Sequence, residues 1–282
     1  MPTGEVHLNA NSITSATREI RVVSHVDMNT NLNIESVLKN YEYWKTSLRI
    51  GNPNGFRTYV ALSGSRDNTF TGVTTLEGIN VELNLIKSNG VTAISGDLHV
   101  RDGAVAKVHA RNQIKRNATI SLISNGNVAS TLRFASVHYG NKNLEENVHQ
   151  LVIEGKGVID FGTEDNKSTH GKRYFYMDDL LITEGSLLTI LAWEEGRDHF
   201  LVRKDSYHLK ESLKRLEFKG YDRSKLNLVD FNTDYWEISG APEPATYGAG
   251  LLSLGLGFVL WRKKRLKMAR SLLLREAQLS SR

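Results

Sequence analysis

Residues 56–161 alternate between apolar β-forming runs and abrupt polar breaks. The runs fall at 81–86, 98–100, 105–109, 119–123, 131–134, 151–153 and 158–161. Between them lie Ser88-Asn89-Gly90, Arg101-Asp102-Gly103, Ser124-Asn125-Gly126 and Glu154-Gly155-Lys156-Gly157. Branched and aromatic side chains in runs this short, with turns this close, predict an all-β body. Earlier strands are expected at 5–8, 19–26 and 31–34, followed by the aromatic cluster Tyr41-Glu42-Tyr43-Trp44 and the turn Gly51-Asn52-Pro53-Asn54-Gly55. Two architectures satisfy this pattern: an antiparallel sandwich and a stack of parallel rungs. Strand starts spaced by roughly seven to twenty residues suit the sides of irregular solenoid coils.

Composition excludes several classes of function. The chain has no cysteine, which removes disulfides, thiol catalysis and cysteine-bound zinc. Its net charge of +5 invites a nucleic-acid partner. The excess of Lys and Arg, however, is concentrated in residues 262–282. The body is close to neutral and carries no basic patch interleaved with aromatics, so no nucleic-acid partner is expected.

The search for chemistry finds no G-x-S-x-G, phosphate-cradling loop or H-E-x-x-H. The expectation is no catalytic residue, no metal and no cofactor. His99 and His109 on adjacent rungs, with Asp97 or Asp102, are the nearest approach to a ligand set. Carboxylates for an acid/base pair would come from Asp178-Asp179, Glu194-Glu195 and Asp160. Asp178 and Asp179 are neighbours on a strand and are expected on opposite faces. Lys172 and Arg173 are placed to neutralise a uronate, and Tyr174 and Tyr176 to stack on a sugar. The bland reading of the same residues is solvated loop charge and partly buried tyrosine.

Toward the end of the body, Asp205 or Ser206 is expected to cap a helix whose Leu209, Leu213 and Leu216 share one face. Glu211 and Arg215 form a supportive pair on it. Strands at 226–231 and 235–238 then flank an Asn232-Thr233-Asp234 turn. A helix and a hairpin would cover the open end of a stack, as solenoids require.

The last forty residues have a different character. Pro242-Glu243-Pro244 holds the backbone extended. The uncharged, Leu- and Gly-rich segment 245–261 follows, long enough as a helix for roughly 25 Å. Trp261 stands as an interfacial anchor, and Arg262, Lys263, Lys264 and Arg265 as a cationic stop that fixes the amino-terminal side outside. A buried core helix is the alternative. Leu266, Ala269, Leu272 and Leu273 give residues 266–282 an apolar face suited to lying on a membrane surface. Residues 1–40 contain no cationic start with an apolar core, so either a secretion signal lies upstream or the carboxy-terminal segment inserts the chain.

Motif, apolar segment and basic cluster in this order resemble the PEP-CTERM sorting signal of exported Gram-negative proteins. That resemblance implies an exosortase-type processing enzyme as partner, acting at Pro242, Glu243 and Pro244. The chain departs from the family in running on past Arg265. Within the body, Thr69-Phe70-Thr71-Gly72-Val73-Thr74-Thr75-Leu76-Glu77-Gly78 resembles the passenger-associated repeat of autotransporter-type β-helix proteins, a likeness covering about residues 69–135. It favours the stack of rungs over the sandwich.

The expected architecture is thus a right-handed parallel β-helix over 1–202, a helix-plus-hairpin cap over 203–240, a sorting segment over 241–265 with a transmembrane helix at 245–261, and a basic amphipathic tail over 266–282. The expected function is that of an exported, non-catalytic surface or matrix protein, a scaffold or adhesin-like surface whose partner is extracellular polysaccharide or another protein. The alternative is a displayed polysaccharide lyase or hydrolase.

Overall fold

The computed structural model describes residues 6–9, 17–23, 30–40, 45–51, 56–126, 128–135, 143–162 and 171–242. In chain order the strands are β1 (Val6–Asn9), β2 (Thr17–Val23), β3 (Thr30–Ile34), β4 (Lys45–Gly51), β5 (Thr58–Leu62), β6 (Thr74–Glu77) and β7 (Val81–Leu85). They continue with β8 (Leu98–Arg101), β9 (Val105–Val108), β10 (Thr119–Ile123), β11 (Ser130–Phe134), β12 (Leu144–Glu154) and β13 (Lys156–Asp160). The last are β14 (Arg173–Ile182), β15 (Leu187–Leu191), β16 (Asp198–Arg203), β17 (Leu216–Phe218), β18 (Tyr221–Asp230) and β19 (Tyr235–Pro242).

Even-numbered strands pair in parallel from β2 through β16 in one sheet, and odd-numbered strands from β3 through β17 in the other. Each pass of the chain therefore lays one strand in each sheet and returns one rung further on. This is a β-solenoid, and the sandwich alternative falls away. One coil takes 22 residues from Leu98 to Ile120 and 31 from Ile120 to Leu151, which explains why no repeat period stands out.

Parallel in-register pairing stacks like on like. Ile50, Leu76, Val100, Leu122, Ile153 and Ile182 form one inward column, and Val60, Leu83, Ala106, Leu132, Ile159, Ile190 and Phe218 another. All of these side chains are buried. Each of them except Ala106 contributes on the order of 1.5–3 kcal/mol by leaving water. Phe134 stacks on Phe161 at 5.3 Å and continues through Phe175 to Phe200, filling the wider coils. The repeat-like segment owes its glycine to close packing. A Cβ on Gly72 would collide with the Thr46 carbonyl, and one on Gly96 with that of Gly72.

The two ends of the even-numbered sheet change sense: β1 lies antiparallel to β2, and β19 antiparallel to β16, with β18 beyond it. The expected hairpin is present and pairs with the edge of the stack. The expected helix is much reduced. Helix α1 spans Leu209–Ser212 and a 3-10 turn follows over Leu213–Arg215, while Leu216 already belongs to β17. Leu216 and Phe218 pair with Leu188 and Ile190, and this long-range pairing overrides the helical spacing of the leucines. Neither Asp205 nor Ser206 caps the helix. His208 occupies that position without a side-chain cap. Glu211 pairs with Lys214 at 2.7 Å, and Arg215 instead donates to the Ile182 carbonyl at 3.0 Å.

The expected architecture also included a transmembrane helix, and this is corrected. Among the described residues no helix is long and apolar enough to cross a membrane. Among the described residues the apolar side chains follow the two-residue period of strands, and the helical content is the single run of residues 209–215. The body is an all-β solenoid; residues 243–282, which include the 245–261 segment, lie outside the described residues.

Candidate functional site

The strands β12 and β14 are longer than their neighbours, and midway along each the inward–outward alternation slips. In β14, Arg173, Phe175 and Met177 point inward, Asp178 and Asp179 are both partly exposed, and then Leu180 and Ile182 point inward. In β12 the same slip leaves His149 and Gln150 side by side on the outside. Because both strands slip at one level, the register is kept and Gln150 pairs with Asp179. The result is a polar shoulder on the outer face. It overturns the expectation that Asp178 and Asp179 diverge: an extra outward residue puts both on one side.

A loop from the next coil closes over this shoulder. Asp179 accepts hydrogen bonds from Gln150 Nε2 (2.8 Å), Ser206 Oγ (2.6 Å), the backbone N–H of His208 (3.2 Å) and His208 Nδ1 (2.6 Å). Burial works against ionisation of Asp179, but the bonds from Ser206, His208 and Gln150 prevail and bring it down to about 2. An ionised carboxylate only accepts, so Nδ1 of His208 donates in this bond. Asp178 lies 3.5 Å from His149 Nδ1 and 3.9 Å from Arg203, whose guanidinium also pairs with Asp205 at 2.8 Å.

Tyr207 stands between Ser206 and His208, the two residues that Asp179 pins. Its ring touches the His208 imidazole edge-on at 4.8 Å and is 88% exposed, the highest exposure of any large apolar or aromatic side chain among the described residues. The loop is thus held by charge-assisted bonds while its aromatic ring faces solvent. Such an arrangement offers a rigid, amphipathic contact area with little ordering entropy left to lose on binding.

Other candidates are committed elsewhere. Arg173 is buried, with Nε and Nη2 in a fork on Asp198 at 2.6 and 3.1 Å, and cannot reach a uronate. Lys172 is exposed. Tyr174 stacks on His199 at 4.6 Å, Tyr176 meets Tyr235 edge-on at 5.1 Å, and Phe231 of the hairpin turn lies against all three of Tyr174, Tyr176 and His199. These rings fasten the closing hairpin to the stack. Burial raises the Tyr176 phenol to about 12. Glu194 pairs with Arg197 and Glu195 is exposed, while Asp160 pairs with Arg133 at 2.6 Å.

The histidine set does not converge. His99 sits on β8 between Thr75 and Ser121, whereas His109 follows β9 in the other sheet and bonds Asn84 at 2.7 Å. Asp97 accepts from the Thr119 N–H and Asp102 from that of Asn125. Burial lowers His99, and burial together with Lys107 brings His109 down to about 4. Pro242 is the last residue of β19. Glu243, Pro244, Trp261, Arg262, Lys263, Lys264 and Arg265 lie outside the described residues.

The residues of the shoulder that composition had not marked are His149, Gln150, Tyr207 and His208. A signal for the first two was present. Apolar positions keep even numbers through Leu144 and Val148, then switch to Leu151 and Ile153; in β14 they switch from Phe175 and Met177 to Leu180 and Ile182. A parity switch inside one strand marks two successive outward residues. No family model, curated protein or solved structure matches the chain.

Proposed function

We propose that the chain is an exported, non-catalytic surface or matrix protein whose solenoid body binds extracellular polysaccharide at the shoulder. The observation that carries this reading is Tyr207, a solvent-facing ring on a loop pinned by Asp179. A sugar ring presents an apolar C–H face to an aromatic and hydroxyls to polar neighbours, and the shoulder supplies both kinds of partner. The likeness of the tail to a sorting signal supports delivery across the envelope, with Pro242, Glu243 and Pro244 read by an exosortase-type enzyme. The test is affinity electrophoresis of the full-length protein through gels containing neutral, cationic and anionic polysaccharides. Retardation in one of them is expected, with no loss of polymer length. Free migration in all of them would refute the proposal.

A second reading is acid/base catalysis on a displayed polysaccharide. It is favoured by the Asp179–His208 pair, in which a carboxylate orients an imidazole through Nδ1. Ser206 bonds Asp179 and not His208, so no activated hydroxyl completes the pair. Polymer shortening abolished by His208→Ala would decide for this reading.

A further inference from the structure

The shoulder is not confined to one coil. His149 and Gln150 come from the β12 coil, Asp178 and Asp179 from the β14 coil, and Tyr207 and His208 from the loop after β16. The three levels are joined in a line by Gln150 to Asp179 to His208, and by His149 to Asp178 to Arg203. Successive rungs of a sheet are about 4.8 Å apart, and a pyranose in an extended β-1,4-linked chain advances by nearly the same length. Resting on the polysaccharide-binding reading above, we infer that the shoulder takes an extended, β-1,4-type glycan parallel to the solenoid axis, with one sugar unit per coil across three units.

The physical reason is register. A polymer running along β14 would meet Leu181 on one side of the slip and, on the other, Tyr176, which Phe231 and Tyr235 of the closing hairpin cover. A polymer running across the strands meets a hydrogen-bonding pair at every rung and ends against the Tyr207 ring. Chains that coil, such as β-1,3-linked glucans, break this match after one or two units.

The experiment is calorimetric titration of the full-length protein with oligosaccharides of two to six units. Four probes are used: cello-, chitosan- and mannuronate oligomers, which are extended, and laminari-oligomers, which coil. In an extended series that binds, affinity should rise about tenfold from two units to three and by less than about twofold beyond three. His149→Ala, at the far end from Tyr207, should bring the three-unit ligand back to the affinity of the two-unit ligand. An affinity independent of length beyond two units, or a three-unit gain that survives His149→Ala, overturns the axial arrangement while the binding reading stands. Preference for the laminari series overturns it too. Absence of binding in all four series overturns both.

Discussion

Asp179 and His208 lie 29 positions apart in the chain and meet at 2.6 Å, carboxylate to Nδ1. Through this bond the outer face of β14 holds the loop that leads from β16 into α1. The same carboxylate also holds Ser206 and Gln150, so one side chain ties together three successive coils. Replacing it with Ala leaves these donors unpaired at a site where Asp179 itself is only 15% exposed. Asp179→Ala is expected to cost about 2–4 kcal/mol, read from urea denaturation.

The same carboxylate sets an acid limb of stability. Its ordinary value is 3.8 and its folded value about 2, so the stabilisation is complete above the first and is lost as pH falls through the second. Asp179→Asn should flatten the melting-temperature profile over that window. A variant profile as steep as that of the native chain would show that other groups govern the acid limb.

Glu146 predicts the opposite slope. It is fully buried and accepts the backbone N–H groups of Gln113 (2.6 Å) and Ile114 (3.1 Å) from the neighbouring coil. Burial outweighs these bonds and raises the carboxyl from 4.5 to about 8. The folded chain therefore holds this proton more tightly than the unfolded one, and its contribution is full below 4.5 and falls as pH rises through about 8. Thermal melts from pH 5 to pH 9 should decline for the native chain and less steeply for Glu146→Gln.

Much of the stack is legible in the order of residues, because parallel rungs bury the same outward–inward pattern on every turn. The run at 119–123 is β10 to the residue, and the runs at 81–86, 98–100 and 105–109 differ from β7, β8 and β9 by one position. What escapes is set by partners far along the chain. Arg173 reads as an exposed cation beside tyrosines, yet its parity with Phe175 and Met177 points it inward, where Asp198 has the parity of Phe200 and Val202. Leu209, Leu213 and Leu216 have helical spacing, yet Leu216 is taken by the rung above Leu188. The shoulder is half visible: its two aspartates stand out in the sequence, but their common face depends on the slip.

Ser212 stands in for a missing strand. Beyond the level where β16 ends, its hydroxyl donates to the Leu180 carbonyl at 2.8 Å and accepts from the Ile182 N–H at 2.9 Å. It is 1% exposed, so Ser212→Ala leaves a buried donor and a buried acceptor unpaired. A loss of about 1–3 kcal/mol is expected, with faster hydrogen exchange at the Ile182 amide. Unchanged exchange there would mean that α1 covers this edge by packing alone.

Two glycines, Gly96 before β8 and Gly126 after β10, test the closeness of the coils. Gly96→Ala places a methyl group against the Gly72 carbonyl and should cost at least about 2 kcal/mol, whereas Gly126→Ala, with open space around it, should change stability by less than about 0.5 kcal/mol. Chemical denaturation of the two variants side by side provides the comparison.

The central claim is that the pinned tyrosine makes the shoulder a binding surface, and Tyr207→Ala tests it most directly because a ring so exposed contributes almost nothing to folding. The full-length variant should melt within about one degree of the native protein and lose at least about tenfold in affinity for the polysaccharide that retards the native chain. Equal affinity in a variant of equal stability would contradict the account.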